Sequence, residues 1–296
     1  DFDNSISISS AGGTDIFLAK YNNIGLLQWA IRAGGNLPDK GLALKTDAQG
    51  NSYITGFFYG TASFGGTTIV STSGTQDVFI AKYDTDGNFV WVTSAGGSGA
   101  DIGNGISVDN IGNVFVTGEF VNVAQFGSFT LTSMINPQTS VPSVDVFIAK
   151  LDPGGNFLWV KQGQANSTDR GIDIANDTLG NVFITGQFSD TITFDNTYFN
   201  NTYNSIFLIK YDTDGNELWF RRAGGGTQNI AYGIAVSDSG NVYLAGDVKG
   251  TVIFWGTPLT YLTNPIHNAI FVAKNDNDGN LLWVTSDGSD NPVSAR

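Results

Sequence analysis

Short apolar runs recur along the whole chain, and glycine, asparagine or aspartate stands at both ends of almost every run. Runs of about four to eight residues that are rich in valine, isoleucine, phenylalanine and tyrosine are typical of β-strands. No segment keeps its apolar residues at the 3.6-residue spacing of a helix over a helical length. The pattern therefore predicts an all-β protein.

One strand sequence is written five times, and a tryptophan follows each copy. The five copies are DIFLAKY (15–21), DVFIAKY (77–83), DVFIAKL (145–151), SIFLIKY (205–211) and AIFVAKN (269–275). The five tryptophans are Trp29, Trp91, Trp159, Trp219 and Trp283. Four further hairpins lie between the copies, at 41–56, 105–118, 171–186 and 233–246. One period thus contains strands a and b, a phenylalanine-marked insert, and strands c and d.

Strand c carries apolar residues on both of its faces. In the second copy, Val78 and Ile80 point one way, and Phe79 and Ala81 point the other. Small sheets that are covered on both faces are stacked around an axis in a β-propeller. We therefore predict a β-propeller of four-stranded blades with a period of about 60–68 residues, in four full repeats plus a half repeat. A parallel β-helix repeats at much shorter periods.

The repeats predict a single domain over residues 1–296, with a half blade at 1–35. The successive repeats are predicted at 36–98, 99–165, 166–226 and 227–290. Because the chain has five c–d hairpins but four a–b hairpins, we expect a fragment of a larger protein. A missing segment or a partner chain would then complete the ring.

Composition narrows the classes of partner. The net charge of −13 would repel phosphate backbones, so nucleic acid is not an expected ligand. The chain has no apolar run of membrane-spanning length. It also has no cysteine, which excludes disulfides and cysteine-ligated zinc. We expect no cofactor, with calcium as the alternative.

Two stretches carry a family resemblance. GISVDNIGNVFVTG (105–118), followed by DVFIAKLDPGGNFLWV (145–160), resembles the bacterial SBBP-type (seven-bladed β-propeller) repeat. The resemblance implies a propeller fold and an extracellular or cell-surface location in bacteria. It implies no catalytic residue.

The motif YDTDGN at 83–88 is similar to part of a calcium loop and recurs at 211–216 and, as NDNDGN, at 275–280. A lysine, such as Lys82, stands where the first carboxylate ligand of such a loop belongs. A type I turn with a left-handed glycine explains all the copies, including DPGG at 152–155. We interpret the motif as a hairpin turn and keep calcium as the alternative, with candidate ligands Asp84, Asp86, Asp212, Asp214, Asp276 and Asp278.

Five lysines hold one position on strand c: Lys20, Lys82, Lys150, Lys210 and Lys274. We expect each lysine to pair with an aspartate at a blade junction, since Asp39, Asp101 and Asp169 recur just before strand a. A lysine ring that gathers an anionic ligand is the alternative. The repeated tryptophans are predicted to fill the core, with sugar stacking as the alternative.

Three residues of the last insert do not recur: Trp255, Tyr261 and the single histidine, His267. We take them as candidates for a specific ligand contact. One histidine and no cysteine leave little material for a nucleophile–base pair.

The sequence favours a non-catalytic, secreted or cell-surface propeller module that acts as a scaffold or binds protein or carbohydrate. The longest inserts, 121–144 and 249–268, are expected to protrude and to carry specificity. One alternative is a polysaccharide-acting enzyme with a carboxylate pair. The other is an assembly subunit completed by a partner strand.

Overall fold

The structure is a computed structural model that describes residues 6–195, 197–200, 204–259 and 269–287. Strands and turns make up these ranges, which contain no α-helix and one short 3-10 turn, Thr72–Gly74. In the part of the chain that the structure describes, no helix is long and apolar enough to span a membrane. The all-β prediction is confirmed.

The strands follow the predicted order within every repeat. From the first to the middle of the chain they are β1 (Ile16–Tyr21), β2 (Leu27–Gly35), β3 (Lys40–Thr46), β4 (Ser52–Tyr59), β5 (Thr61–Phe64), β6 (Thr67–Val70), β7 (Gln76–Tyr83), β8 (Phe89–Gly97), β9 (Ile102–Val108), β10 (Val114–Val121), β11 (Val123–Phe126), β12 (Phe129–Thr132), β13 (Val144–Leu151) and β14 (Phe157–Ala165). The remaining strands are β15 (Arg170–Asn176), β16 (Val182–Phe188), β17 (Thr191–Thr193), β18 (Tyr198–Asn200), β19 (Ser205–Tyr211), β20 (Glu217–Gly224), β21 (Gln228–Val236), β22 (Val242–Lys249), β23 (Val252–Phe254), β24 (Thr257–Leu259), β25 (Ala269–Asn275) and β26 (Leu281–Asp287).

Strands a, b, c and d form antiparallel sheets in sequence order, as predicted. The second sheet runs β3-β4-β7-β8, and the third and fourth sheets repeat this order. Each insert folds into a hairpin that joins the sheet of the preceding repeat. The hairpin β11–β12, for example, pairs with strand β8 through Ala124 and Gly97. Three sheets therefore have six strands, whereas the first and the last have four among the described residues.

The sheets follow one another around a shared centre. The a strands β3, β9, β15 and β21 contact each other in succession. All four line one cavity of about 370 Å³. Such an arrangement of antiparallel sheets is that of consecutive propeller blades.

The apolar residues of strand c pack on both neighbouring sheets. Val78 and Ile80 lie in one buried cluster with the third sheet, while Phe79 and Ala81 lie in another with the first. Burying a side chain of this size contributes about 1.5–3 kcal/mol. The predicted two-faced burial of strand c is confirmed.

Candidate functional site

In each c–d turn that starts with aspartate, the carboxylate of that residue closes the turn by accepting backbone N–H groups two and four residues later. Asp84 Oδ1 accepts the backbone N–H groups of Asp86 and Asn88, at 2.9 and 2.8 Å. The amide of Asn88 donates to Asp84 Oδ2 at 2.8 Å. These hydrogen bonds, that from the Asn88 side chain foremost, hold the pKa of Asp84 below its usual range. Gly87 has a φ of 82°, so the predicted turn with a left-handed glycine is confirmed.

The same bonds engage the carboxylates of three of the six candidate calcium ligands, Asp84, Asp212 and Asp276. Asp212 and Asp276 close their turns on Asn216 and Asn280 as Asp84 does. Within the ranges described above, no three or more His, Asp or Glu side chains lie together as a metal site would require. Calcium binding at these turns stays a prediction.

The turns dock on the tryptophans of the preceding repeat. A Cβ on Gly87 would lie 2.8 Å from the ring of Trp29, so this position has room for glycine alone. The same fit recurs between Gly155 and Trp91 at 2.9 Å, Gly215 and Trp159 at 3.1 Å, and Gly279 and Trp219 at 3.0 Å. The tryptophans that the sequence assigned to the core thus contact the next turn.

The docked turn also offers a backbone carbonyl. Trp29 Nε1 and Lys20 Nζ both donate to the carbonyl of Thr85, at 3.1 and 2.7 Å. We call this set of contacts, a tryptophan and a lysine of one repeat against the c–d turn of the next, the repeat joint. The other acceptors are the carbonyls of Pro153 for Trp91, Thr213 for Trp159 and Lys150, and Asn277 for Trp219 and Lys210.

The expected pairing of these lysines with Asp39, Asp101 and Asp169 is wrong. Lys150 donates to the Thr213 carbonyl at 2.7 Å and lies over the ring of Phe115, with 5.4 Å to the ring centroid. A buried ammonium needs partners, and a carbonyl together with an aromatic face supplies them without a second charge. Lys82 and Lys274 lie over the rings of Tyr53 and Tyr243 in the same way.

The recurring aspartates instead accept hydrogen bonds from backbone N–H groups where the chain passes from strand d of one repeat to strand a of the next. We call this segment the crossing. Asp101 is fully buried, and its two oxygens accept the N–H groups of Gly97 and Val121 at 2.7 and 3.2 Å. Asp77 lies beside it: Asp77 Oδ1 and Asp101 Oδ2 are 2.7 and 2.8 Å from the point where a Cβ on Gly96 would lie. Burial raises the pKa of Asp77 to about 6 and that of Asp101 to about 7.

Asp39 and Asp169 occupy equivalent crossings. Asp39 accepts from Gly35 and Tyr59, and Asp169 accepts from Ser189. Burial raises the pKa of Asp169 to about 8. At the next crossing Asn229 stands in the same position and is also fully buried. The crossing is therefore compatible with a neutral side chain.

A half-buried carboxylate, that of Asp173, lines the central cavity. Asp173 accepts the N–H of Ile234 at 2.9 Å and thereby ties the a strands of two sheets together. Burial raises the pKa of Asp173, and the charge of Lys45 opposes that rise. The polar side chains of Lys45, Ser107 and Asn176 also line this cavity, beside aliphatic ones.

Trp255, one of the three predicted contact residues, stacks on Phe254 with 5.5 Å between ring centroids and 13° between ring planes. Its backbone has a φ of 51°. Its indole nitrogen is buried and has no hydrogen-bond partner among the described residues. Tyr261 and His267 lie outside the described residues, so a contact site formed by the three stays a prediction.

The insert between β12 and β13 ends in a loop that is fixed by hydrogen bonds and that exposes apolar side chains. We call residues 133–143 the insert loop. Met134, Ile135 and Val141 are 39%, 55% and 57% exposed. Asn136 donates to the carbonyl of Asn166 at 2.7 Å, and Ile135 bridges to Pro142. The length of this insert predicted from the sequence that it would protrude. The structure adds that three of its apolar side chains are exposed.

Comparison with known proteins identifies the repeat. The sequence model of the family described as "SBBP: Beta-propeller repeat" matches residues 90–119 and 218–251. Each match runs from strand d of one repeat into the a–b hairpin of the next. The resemblance stated from the sequence is confirmed.

One curated relative is an uncharacterized WD repeat-containing protein, L264, of Acanthamoeba polyphaga mimivirus. It is 27% identical over 274 residues, a match that covers 80% of this chain. The chain spans 19% of the length of that relative. Among solved structures, a protein of unknown function from Bacteroides caccae matches at 9% identity with a TM-score of 0.37, over 95% of this chain and 92% of that chain. A structural match with so low a TM-score does not establish a shared fold.

Proposed function

We propose that this chain, which carries the SBBP β-propeller repeat, is a non-catalytic protein-binding scaffold whose contact surface is the insert loop. The observation that carries the proposal is the exposure of Met134, Ile135 and Val141 on a loop held by hydrogen bonds. Apolar side chains that are presented on a rigid segment lose little entropy on binding, and clustered exposure of this kind marks contact sites.

The similarity to a WD repeat-containing protein supports a binding role. The chemistry of the insert loop favours a protein partner over a carbohydrate, because its exposed side chains are aliphatic rather than aromatic. A sugar site at Trp255, Tyr261 and His267 is a separate proposal, tested by glycan binding with a Trp255→Ala variant. Export to the outside of a bacterial cell is part of the proposal and is tested by fractionation of the producing organism.

The test uses a photo-crosslinking amino acid at position 135 of the full chain, expressed in the producing organism. We expect a discrete crosslinked protein. The matched control carries the same group at Val70, which is an exposed apolar residue on another insert. Products that are identical from both positions would contradict the proposal, and so would their absence from position 135.

Strand addition is the second candidate function, and one observation favours it. In the described residues β1 is the edge of its sheet, whereas the equivalent strands β7, β13, β19 and β25 each pair with a b strand. A cleft of about 300 Å³ lies between β1 and β3. Leu44 on β3 is exposed there, while the equivalent Ile106 on β9 is buried.

A β-hairpin with the alternation of the a–b strands would fit this cleft. The test is calorimetric titration of the chain with a peptide of the sequence of residues 103–120. We expect binding that Leu44→Asp weakens, because the substitution places a charge against the apolar face of the peptide. Equal binding by the variant would reject this site.

A further inference from the structure

The last of the four repeat joints differs from the others in the side chain that faces its lysine. Lys210 Nζ donates to the side-chain Oδ1 of Asn277 at 2.6 Å and to the backbone carbonyl of the same residue at 3.2 Å. In the other docked turns the position of Asn277 is held by Thr85, Pro153 and Thr213. Asn277 is therefore the one residue of these four whose side chain carries a carboxamide.

Lys210 has the surroundings of a lysine that can act as a nucleophile. It is 5% exposed, and its ammonium lies over the ring of Phe183 at 4.9 Å from the ring centroid. Burial lowers the pKa of Lys210, while the charge of Asp177 and, after it, that of Asp278 oppose this shift. The neutral amine is the reactive form of lysine, and apolar surroundings favour it.

The carboxamide of Asn277 is fixed against this amine. A Cβ on Gly240 would lie 3.1 Å from Asn277 Cγ, so the a–b turn of the same repeat packs against the amide. Trp219 Nε1 donates to the backbone carbonyl of Asn277 at 3.1 Å and holds the turn in place. Because the amine and the carboxamide are already in contact, much of the entropic barrier to a reaction between them is removed.

We propose that Lys210 and Asn277 form an intramolecular isopeptide bond, which links the repeat at 166–226 covalently to the repeat at 227–290. The lysine amine attacks Asn277 Cγ, an amide forms between Cγ and Nζ, and the bond from Cγ to Nδ2 breaks. Asp177 accepts in turn the two protons that the lysine nitrogen loses and returns both to the leaving nitrogen. That nitrogen departs as ammonium, so atoms and charge balance without an oxidant or a cofactor.

The bond gives the chain a cross-link of a kind that disulfides cannot supply, since the chain has no cysteine. It joins residues that are 67 positions apart, and a cross-link across a long loop restricts the unfolded chain strongly. The first joint offers an internal comparison, because Lys20 donates in the same way to the carbonyl and the hydroxyl of Thr85, at 2.7 and 2.8 Å. A hydroxyl cannot form an amide. The inference goes beyond the proposed function and does not involve the insert loop.

The intact mass of the full chain, measured after denaturation, tests the proposal. We expect the wild type to weigh less than its sequence by one ammonia, and a protease digest to contain a branched peptide that joins Lys210 and Asn277. Two matched variants should have the full mass of their sequences: Lys210→Arg keeps the charge without the amine, and Asn277→Thr places there the hydroxyl found at Thr85. The wild type should unfold about 5–10 °C above Asn277→Thr, because the cross-link restricts its unfolded state.

A third variant tests the proton transfer. In Asp177→Asn the amide oxygen can still accept the N–H groups of Leu179 and Asn181 that the carboxylate accepts, so the turn is kept. An amide accepts no proton, and the bond should form at least about a hundredfold more slowly.

A wild type that has the full mass of its sequence would overturn the proposal. A mass lower by one ammonia without the branched peptide would overturn it too, because an asparagine that cyclises onto its own backbone loses the same mass. Thermal unfolding of each variant verifies that it is folded.

Discussion

At the scale of single residues, the turn glycines satisfy two separate requirements. Gly155 needs a φ of 87°, and it also leaves no space for a Cβ against Trp91. The first requirement can be predicted from the turn motif. The second comes from the neighbouring repeat, which lies about 60 residues away in the sequence.

Gly155→Ala should therefore destabilise the fold more than a turn substitution normally does. A non-glycine residue in the left-handed region costs about 1–2 kcal/mol, and overpacking against Trp91 adds about 1–3 kcal/mol. Gly66→Ala has a similar φ and open space, so it should show the backbone cost alone. Denaturant unfolding of both variants measures the difference, and equal losses would remove the packing role of Trp91.

Asp169 makes the stability of the fold depend on pH. Its raised folded pKa of about 8, against 3.8 for the exposed group, means that the folded state keeps the proton to higher pH. The contribution of the protonated group to stability is complete below pH 4 and is lost as the pH rises through 8. Asn229 shows that an amide fits the equivalent crossing.

Asp169→Asn should accordingly gain stability relative to the wild type as the pH rises from about 5 to 9, by roughly 2 kcal/mol or more. Asp152→Asn is the control of opposite sign: hydrogen bonds from Asn156 lower the pKa of Asp152, so this variant should lose stability above pH 4. Unfolding free energies measured from about pH 2 to 9 check both: the Asp169→Asn difference grows as the pH rises above about 5, whereas the Asp152→Asn difference develops below about pH 4 and is constant above it. A pH-independent difference for Asp169→Asn would show that the carboxyl ionises normally in the fold.

At the scale of elements, strand c connects its own repeat with the next one. Its apolar residues fill two interfaces, and its lysine reaches the following turn. This explains why one strand sequence with a buried cation recurs so closely: each feature has a fixed partner in the neighbouring repeat.

Lys150→Met should lower the free energy of unfolding by about 1 kcal/mol, because the carbonyl of Thr213 loses its charged donor while Trp159 continues to donate to it. Lys161→Met removes a half-exposed pair with Asp195 and is expected to cost about 0.5 kcal/mol or less. Thermal and denaturant unfolding compare the two. A Lys150→Met variant as stable as Lys161→Met would mean that the joint does not depend on its lysine.

At the scale of the whole molecule, the repeats are not equivalent. β9 and β15 lie between neighbouring a strands, while β3 borders the cleft beside β1. Stability in repeat folds depends on contacts with both neighbours. The first sheet and β3 are therefore expected to open more readily than the middle sheets.

Hydrogen exchange tests this expectation. Amides of β3 should exchange at least about tenfold faster than the equivalent amides of β9 under native conditions, since local opening exposes few buried side chains there. Uniform protection across β3, β9 and β15 would show that the cleft beside β1 has no effect on stability.

The sequence alone determined the period, the strand order within a repeat and the role of Asp84 and Gly87 as a hairpin turn. These properties depend on contacts between residues a few positions apart and on alternation along a strand, and both are written locally. The two-faced burial of strand c was predictable for the same reason.

Only the tertiary structure decided which contacts neighbouring repeats make with one another. It showed that the insert hairpins extend the preceding sheet, that Lys150 meets a carbonyl rather than Asp169, and that Trp91 lies under Gly155. No local pattern encodes these contacts, because each depends on how one sheet is rotated against the next.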